Sequence, residues 1–170
     1  MTSKTEIMDT AECLLLKNGL KAVSLYDVAD ALQVSQPAIY KHFKNKQNLW
    51  AAVALRWMDE TLDDLWKLPP GTSLHDWLWT LLSRKKTSRD ANPALFDSYA
   101  HYIETTPDFL NSHMVRLAES LSATCSITDP TRAQAILRAF TWFHNPYFSK
   151  DWDDTYQEKF EKLWVCCHFD

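Results

Sequence analysis

The run from Val23 to Leu49, VSLYDVADALQVSQPAIYKHFKNKQNL, constrains the fold of this chain more than any other stretch. It spells two short helices joined by a tight turn, then a basic exit into a longer helix. Ser24 with Asp27 three residues on is a capping box, so a helix starts at Leu25. Val28, Ala29 and Leu32 then share one face at helical spacing. Gln33 and Val34 form the turn, with Val34 plugging the space between the helices. Ser35 is placed to cap the next helix. Pro37 follows in its first turn, where the N–H it lacks has no partner anyway. Ile39 and Phe43, four apart, point inward, and Asn45 caps a further helix.

This layout is that of a helix-turn-helix whose second helix enters the major groove of duplex DNA. Gln36 and His42 can hydrogen-bond base edges, and Ala38 can touch a thymine methyl. Tyr40, Lys41 and Lys46 suit phosphate oxygens. The bland alternative is a helical hairpin with solvated lysines. Two successive caps, the turn length and the basic exit all argue for the first reading.

Residues 5–50 resemble the DNA-binding domain of the tetracycline-repressor (TetR) family. The resemblance rests on Gly19 closing the first helix, Ser24, Val28-Ala29, Val34-Ser35, Ile39-Tyr40, and His42-Phe43-Lys44-Asn45-Lys46 leading into Leu49. It implies a DNA contact set of Ser24, Tyr26, Ser35, Gln36, Pro37, Ala38, Tyr40, Lys41, His42 and Lys46. Two positions depart from the family pattern. Gln33 stands where the turn usually has glycine, at a cost on the order of 1 kcal/mol if the turn is left-handed. Tyr26 stands where a phosphate-contacting arginine is common, and its hydroxyl carries no charge.

Net charge is −4, which looks wrong for a DNA binder until it is divided. Residues 1–50 hold six lysines and five carboxylates, whereas the remainder holds twelve basic and seventeen acidic residues. Residues 35–50 carry three lysines and no acid, so the positive surface is local. With 170 residues, 46% hydrophobic content and only two glycines, the chain reads as a packed helical protein. No apolar run is long enough to span a bilayer, and no secretory segment is legible at the N-terminus. Cys13, Cys125, Cys166 and Cys167 show no zinc spacing and are read as reduced thiols of a cytoplasmic protein. Cys166-Cys167-His168 is a helix end rather than a metal tip on this reading. No metal or cofactor is expected.

Punctuation along the chain predicts an all-α fold of about nine helices. Residues 1–48 form a three-helix DNA-binding domain, and 49–170 a helical bundle. The first helix opens at Ser3 and ends at Gly19. A helix from Lys46 runs to about Trp66, stopped by Pro69-Pro70-Gly71. Later helices open at Ser73, Asn92-Pro93, Thr106-Pro107 and Asp129-Pro130, and a last one starts near Asp151 to Asp154. Arg84, Lys85, Lys86 and Arg89 read as a solvated basic helix end.

The resemblance implies that the second domain binds a small molecule and dimerises through its last two long helices. Apolar faces at Ile136, Phe140 and Phe143, and at Phe160, Leu163 and Trp164, suit a homodimer on a palindromic operator. They also suit closure of the monomer core. Candidate effector contacts are Trp57, Thr61, Trp77, Leu81, Phe96, Tyr99, Tyr102, Met114, Leu117, Phe140 and His144, each of which could equally be core. The effector is read as small and hydrophobic. An aromatic, acidic body suggests a lipophilic cation. The body is short for the family, so a small or closed pocket also fits.

The histidines show no H-x-x-x-H or H-E-x-x-H, and there is no glycine-rich phosphate loop, so nothing points to an enzyme. The reading is a ligand-responsive regulator, a repressor by family habit. The alternative is a helical dimer of the same type that acts as a protein-interaction adaptor, without a ligand or without DNA binding.

Overall fold

The computed structural model describes residues 2–19, 22–105 and 107–167, with the side chains of 102–109 left outside that description. Among the described residues every regular element is helical. The elements are α1 (Lys4–Asn18), α2 (Leu25–Ala31), α3 (Gln36–Tyr40), α4 (Lys46–Thr61), α5 (Asp63–Trp66), α6 (Leu74–Ala91), α7 (Pro93–Thr105), α8 (Pro107–Cys125), α9 (Pro130–Ala139), α10 (Thr141–His144) and α11 (Tyr156–Cys167). A 3₁₀ segment, Pro146–Asp151, precedes α11.

Among the described residues twelve helical elements stand where about nine were expected, because two long helices break and the 3₁₀ segment adds one. The expected 46–66 helix stops at Thr61; Leu62 turns out of helical geometry (φ −99°, ψ 15°) and buries its side chain. The expected 130–144 helix breaks at Phe140 (φ −97°, ψ 16°). There the Thr141 hydroxyl donates to the Arg138 carbonyl at 2.7 Å, which satisfies a group the break exposes. The break lets Phe140 and Phe143 both turn inward. The last helix begins at Tyr156, later than expected, because Asp153 holds the preceding turn through the Thr155 amide at 2.9 Å.

The chain forms two compact units that are not contiguous in sequence. The first contains residues 1–60 and 92–105; the second contains 61–91 and 106–170. The sequence suggested a division at residue 48 instead. The difference arises because α4 stays with the first unit to Glu60, and because α7 returns to pack on α1. Leu95, Phe96 and Tyr99 of α7 are buried, and Phe96 and Tyr99 meet Trp57 of α4 with ring centroids 6.1 and 6.2 Å away. Such large rings bring enough apolar area to fix a helix in place. Ile7, Ala11 and Leu15 of α1, Val28 of α2, Ile39 and Phe43 complete that core. Arg56 of α4 reaches back to α1, at 2.6 Å from Asp9 and 2.9 Å from Glu12.

In the second unit α8 packs on α6 and α9, and α6 also packs on α5 and α10. Trp77, Leu78, Leu81 and Leu82 of α6, Leu117 and Leu121 of α8, and Ile136 and Leu137 of α9 are buried. Phe140, Phe143, Tyr156 and Phe160 form an aromatic cluster, with Phe140 and Phe160 centroids 5.6 Å apart. The Tyr156 hydroxyl donates to the Phe143 carbonyl at 2.5 Å, with the Leu82 carbonyl 3.2 Å away.

Candidate nucleic-acid interface

Both capping boxes read from the sequence form. Ser3 pairs with Glu6, and the Ser24 hydroxyl accepts from the Asp27 amide at 3.3 Å while the Asp27 carboxylate accepts from the Ser24 amide at 2.7 Å. The Ser24 hydroxyl also donates to that carboxylate at 2.6 Å. These contacts, Ser24's foremost, hold the Asp27 carboxyl below its ordinary range, and Lys46 adds to the effect from the start of α4. Ser24 is therefore committed to the cap, and donating its hydroxyl to a phosphate would break a bond already made.

The turn is a left-handed helix cap. Gln33 has φ 55°, its amide bonds the Asp30 carbonyl at 3.0 Å, and the Val34 amide bonds the Ala29 carbonyl at 3.0 Å. That pair of bonds is the Schellman pattern, with glutamine in the position glycine usually takes. Val34 is half-buried beneath it. The same pattern ends α8, where Ser126 has φ 56° and the Ile127 amide bonds the Ser122 carbonyl. A chain with two glycines fills such positions with other residues. Gln33→Gly relieves the strain, of roughly 1–2 kcal/mol, and gives back part of it as unfolded-chain entropy. Thermal unfolding of the variant is expected to show a net gain of about 0.5–1 kcal/mol.

Ser35 occupies the N-cap position of α3, but its side chain makes no capping bond, contrary to the sequence expectation. Its exposed hydroxyl is left available. Ile39 and Phe43 are buried and anchor the segment. Gln36, Pro37, Tyr40, Lys41 and His42 are exposed, Tyr40 by half of its surface, and Ala38 is half-buried. Tyr26 is exposed on α2, and Lys46 is half-buried at the start of α4. There Asn45 caps α4 through the Asn48 amide at 2.8 Å. The α2–α3 pair thus carries a contiguous polar and basic edge from Ser35 to His42, with Tyr26 and Lys46 on neighbouring helix starts. Base-edge donors, one aromatic hydroxyl and lysines without an intervening acid can bind a duplex backbone and read its groove.

The residues suggested as effector contacts are divided between the two units. Trp57, Phe96 and Tyr99 belong to the first unit's core. Trp77, Leu81, Leu117, Phe140 and His144 are buried in the second. Thr61 is half-buried, 3.0 Å from the Ser88 hydroxyl. Tyr102 falls outside the described side chains. Met114 lines a cavity of about 300 Å³ shared with Leu110, Asn111, Val115, Gln134 and Arg138. No carboxylate is among those residues, so the lipophilic cation suggested by overall composition has nothing to pair with there. Of the six residues suggested for a dimer interface, Ile136, Phe140, Phe143 and Phe160 are buried within the unit. Leu163 and Trp164 are half-buried, and the neighbouring Val165 is exposed.

Lys85 is the largest departure from the sequence reading. It is 1% exposed, not a solvated helix end. Its ammonium donates to the His144 carbonyl at 3.1 Å and lies 3.3 Å from His113 Nε2. Burial pushes its pKa down to about 7. Burial, and then the Lys85 charge, also depress His113 strongly and take His144 down to about 4. His144 Nε2 donates to the Leu137 carbonyl at 2.8 Å, which fixes its tautomer. The missed signal was periodicity: Lys85 continues the buried stripe Leu78, Leu81, Leu82 at helical spacing. Among the described residues no cluster of His, Cys, Asp and Glu is placed to hold a metal, no cysteines are bridged, and no helix is long and apolar enough to cross a membrane.

A helix-turn-helix with an outward second helix, joined in one chain to an all-helical unit, defines a transcriptional regulator of the DNA-binding type. The pattern of bacterial regulatory proteins of the tetR family matches residues 7–53, and that of the tetracyclin repressor-like C-terminal domain matches residues 70–164. The chain belongs to the TetR family of transcriptional regulators; it is not an enzyme. It is 30% identical over 120 residues to the uncharacterized HTH-type transcriptional regulator YvkB of Bacillus subtilis, covering 64% of this chain and 62% of that protein. It is 30% identical over 57 residues to the HTH-type transcriptional repressor KstR2 of Rhodococcus jostii, covering 34% of this chain and 28% of the repressor. These matches span less than two thirds of either relative. A TetR-like regulator from Rhodococcus sp. RHA1 shares the fold, with TM-score 0.61 and 17% identity over 98% of this chain and 96% of its own.

Proposed function

We propose that the chain binds a palindromic operator as a homodimer, acts as a repressor, and is released by a small hydrophobic effector. The observation that carries this reading is the outward presentation of Gln36, Tyr40, Lys41 and His42 over the buried anchors Ile39 and Phe43. KstR2, a relative over 57 residues, is a repressor by name, which supports the sign of regulation. Two copies related by a two-fold axis would set their α3 helices one DNA turn apart, roughly 34–36 Å. Leu163, Trp164 and Val165 offer apolar surface for that contact, with Ile136, Phe140, Phe143 and Phe160 as the packed layer beneath. An effector bound in the second unit acts by favouring an arrangement of the pair in which that spacing is lost. It must bind the two arrangements with different affinity for anything to move.

A mobility-shift titration against DNA from upstream of the protein's own gene tests the reading. Lys41, Lys44 and Lys46 on each of two subunits predict that log K falls against log salt with a slope of roughly 4–6. Indifference to every duplex at low salt would overturn operator binding.

A further inference from the structure

Leu110, Asn111, Met114 and Val115 recur on one stripe of α8 at i, i+1, i+4 and i+5, and Gln134 and Arg138 lie one turn apart on α9. Together they line the cavity of about 300 Å³. Leu110 and Met114 share the face of α8 that carries the buried Leu117 and Leu121, whereas Asn111 and Val115 lie about 100° further round α8, and Gln134 and Arg138 lie about 100° round α9 from the buried Ala133 and Leu137, so the cavity opens on the flank of the α8–α9 contact. Its apolar surface comes from Leu110, Met114 and Val115, and its only charge from Arg138. Arg138 is exposed, and among the described residues no carboxylate pairs with it.

We propose that this groove binds an anionic amphiphile, with an oxyanion head group on Arg138 and a short alkyl chain over Leu110, Met114 and Val115. It rests on the reading of the second unit as the effector-binding half, and gives that effector a charge and a place. Guanidinium binds carboxylate or phosphate through a fork of paired N–H donors, and the amides of Asn111 and Gln134 add neighbouring donors. Methionine adapts its shape to an alkyl chain. The volume is at the lower end of ligand sites, about 300–1,000 Å³. The lining stripe of α8 spans about 7–8 Å at 1.5 Å per residue, so a chain of about eight carbons fills it.

Calorimetric titration of the full chain with octanoate, octyl phosphate, octanol and octylammonium tests the proposal. At least one of the two anions is expected to bind ten or more times more tightly than octanol, and octylammonium most weakly. Whichever anion leads assigns the head group as carboxylate or phosphate. Arg138→Gln is expected to level the series, and Arg138→Glu to reverse it so that octylammonium leads. Equal affinity for all four probes, or an unchanged order in Arg138→Glu, overturns the proposal; circular dichroism confirms that each variant is folded. Light scattering of Val115→Asp provides a further arm: a fall to monomer mass means that a second copy covers the groove, which also overturns it. Mobility shifts with and without octanoate separate this from the proposed function. Octanoate that binds through Arg138 without releasing DNA supports the groove and removes its effector role. Failure to bind DNA at all leaves the calorimetric order intact and overturns only operator binding.

Discussion

Lys85→Met is expected to flatten the rise in stability that the wild-type chain shows between pH 7 and 9.5. Lys85 has a pKa of about 7 in the fold and an ordinary value of 10.5 once exposed by unfolding. Between those values the unfolded chain holds the proton and the folded chain does not, so raising the pH removes a proton that only the unfolded state favours. The contribution to stability is complete above pH 10.5, and is lost as pH falls through 7. From pH 7 to 9.5 it amounts to about 3 kcal/mol. Methionine has similar length and no charge. At pH 6 it is expected to match or exceed the wild type, because a desolvated ammonium is removed. At pH 9.5 it is expected to be the less stable, because a neutral amine that donates to the His144 carbonyl has been lost. The crossing of the two curves is the signature, read from urea unfolding by tryptophan fluorescence at several pH values. A wild-type profile flat over that window would contradict the buried position.

On the acid side the same cluster acts through its histidines. His113 and His144 stay neutral in the fold below the ordinary value of 6.5, so the unfolded chain takes up protons first and stability falls as pH drops from 6.5 toward 4. Lys85 is protonated in both states there and contributes no slope. Its charge is one cause of the depression of both histidines, so Lys85→Met also makes the acid fall shallower.

The helix-turn-helix was legible because its determinants are local. Ser3, Ser24 and Asn45 make their caps within three residues, and Gly19 closes α1 with its amide on the Leu15 carbonyl. Gln33 could be named as the strained position because it stands where the TetR resemblance implies glycine, and its φ of 55° is left-handed. Ser35 went differently, because the residue type favoured at a cap does not fix the rotamer that makes one. In the second half of the chain the decisive facts are tertiary. Nothing local marks Phe140 as a break; it breaks because two phenylalanines three residues apart both find the Phe160 cluster. Nothing local sends α7 back to the first unit, where it packs on α1 and where Phe96 and Tyr99 meet Trp57 of α4. Lys85 was misread because its charge outweighed its position in a buried stripe. Aromatic side chains suggested as effector contacts, such as Trp77 and Phe140, are buried, while the groove proposed for an amphiphile is lined by Leu110, Asn111, Met114, Val115, Gln134 and Arg138, which no local pattern in the sequence brings together.

Tyr40→Ala and Lys46→Ala are each expected to weaken operator binding by about 2–4 kcal/mol per dimer, roughly 30- to 1,000-fold, since each removes a contact twice. The two differ in kind. Tyr40 stands half-exposed beside Lys41 and His42, with its ring free of the core that Ile39 and Phe43 build. Its loss is expected to weaken the cognate site with little change in salt dependence, because no charge is removed. Lys46 is a cation at the start of α4, close enough to α2 to act on Asp27. Its loss is expected to weaken all duplexes about equally and to reduce the salt slope by about two per dimer. Neither change touches a buried apolar side chain, so unfolding midpoints and molar mass are expected to stay within error of the wild type. Tyr147→Ala is the matched control, since that residue is 71% exposed in the second unit and has no part in the proposed surface. If Tyr40→Ala and Lys46→Ala both left DNA affinity unchanged while binding stayed salt-dependent, the duplex would have to dock elsewhere. The outward edge of α3 would then be an ordinary solvated helix face.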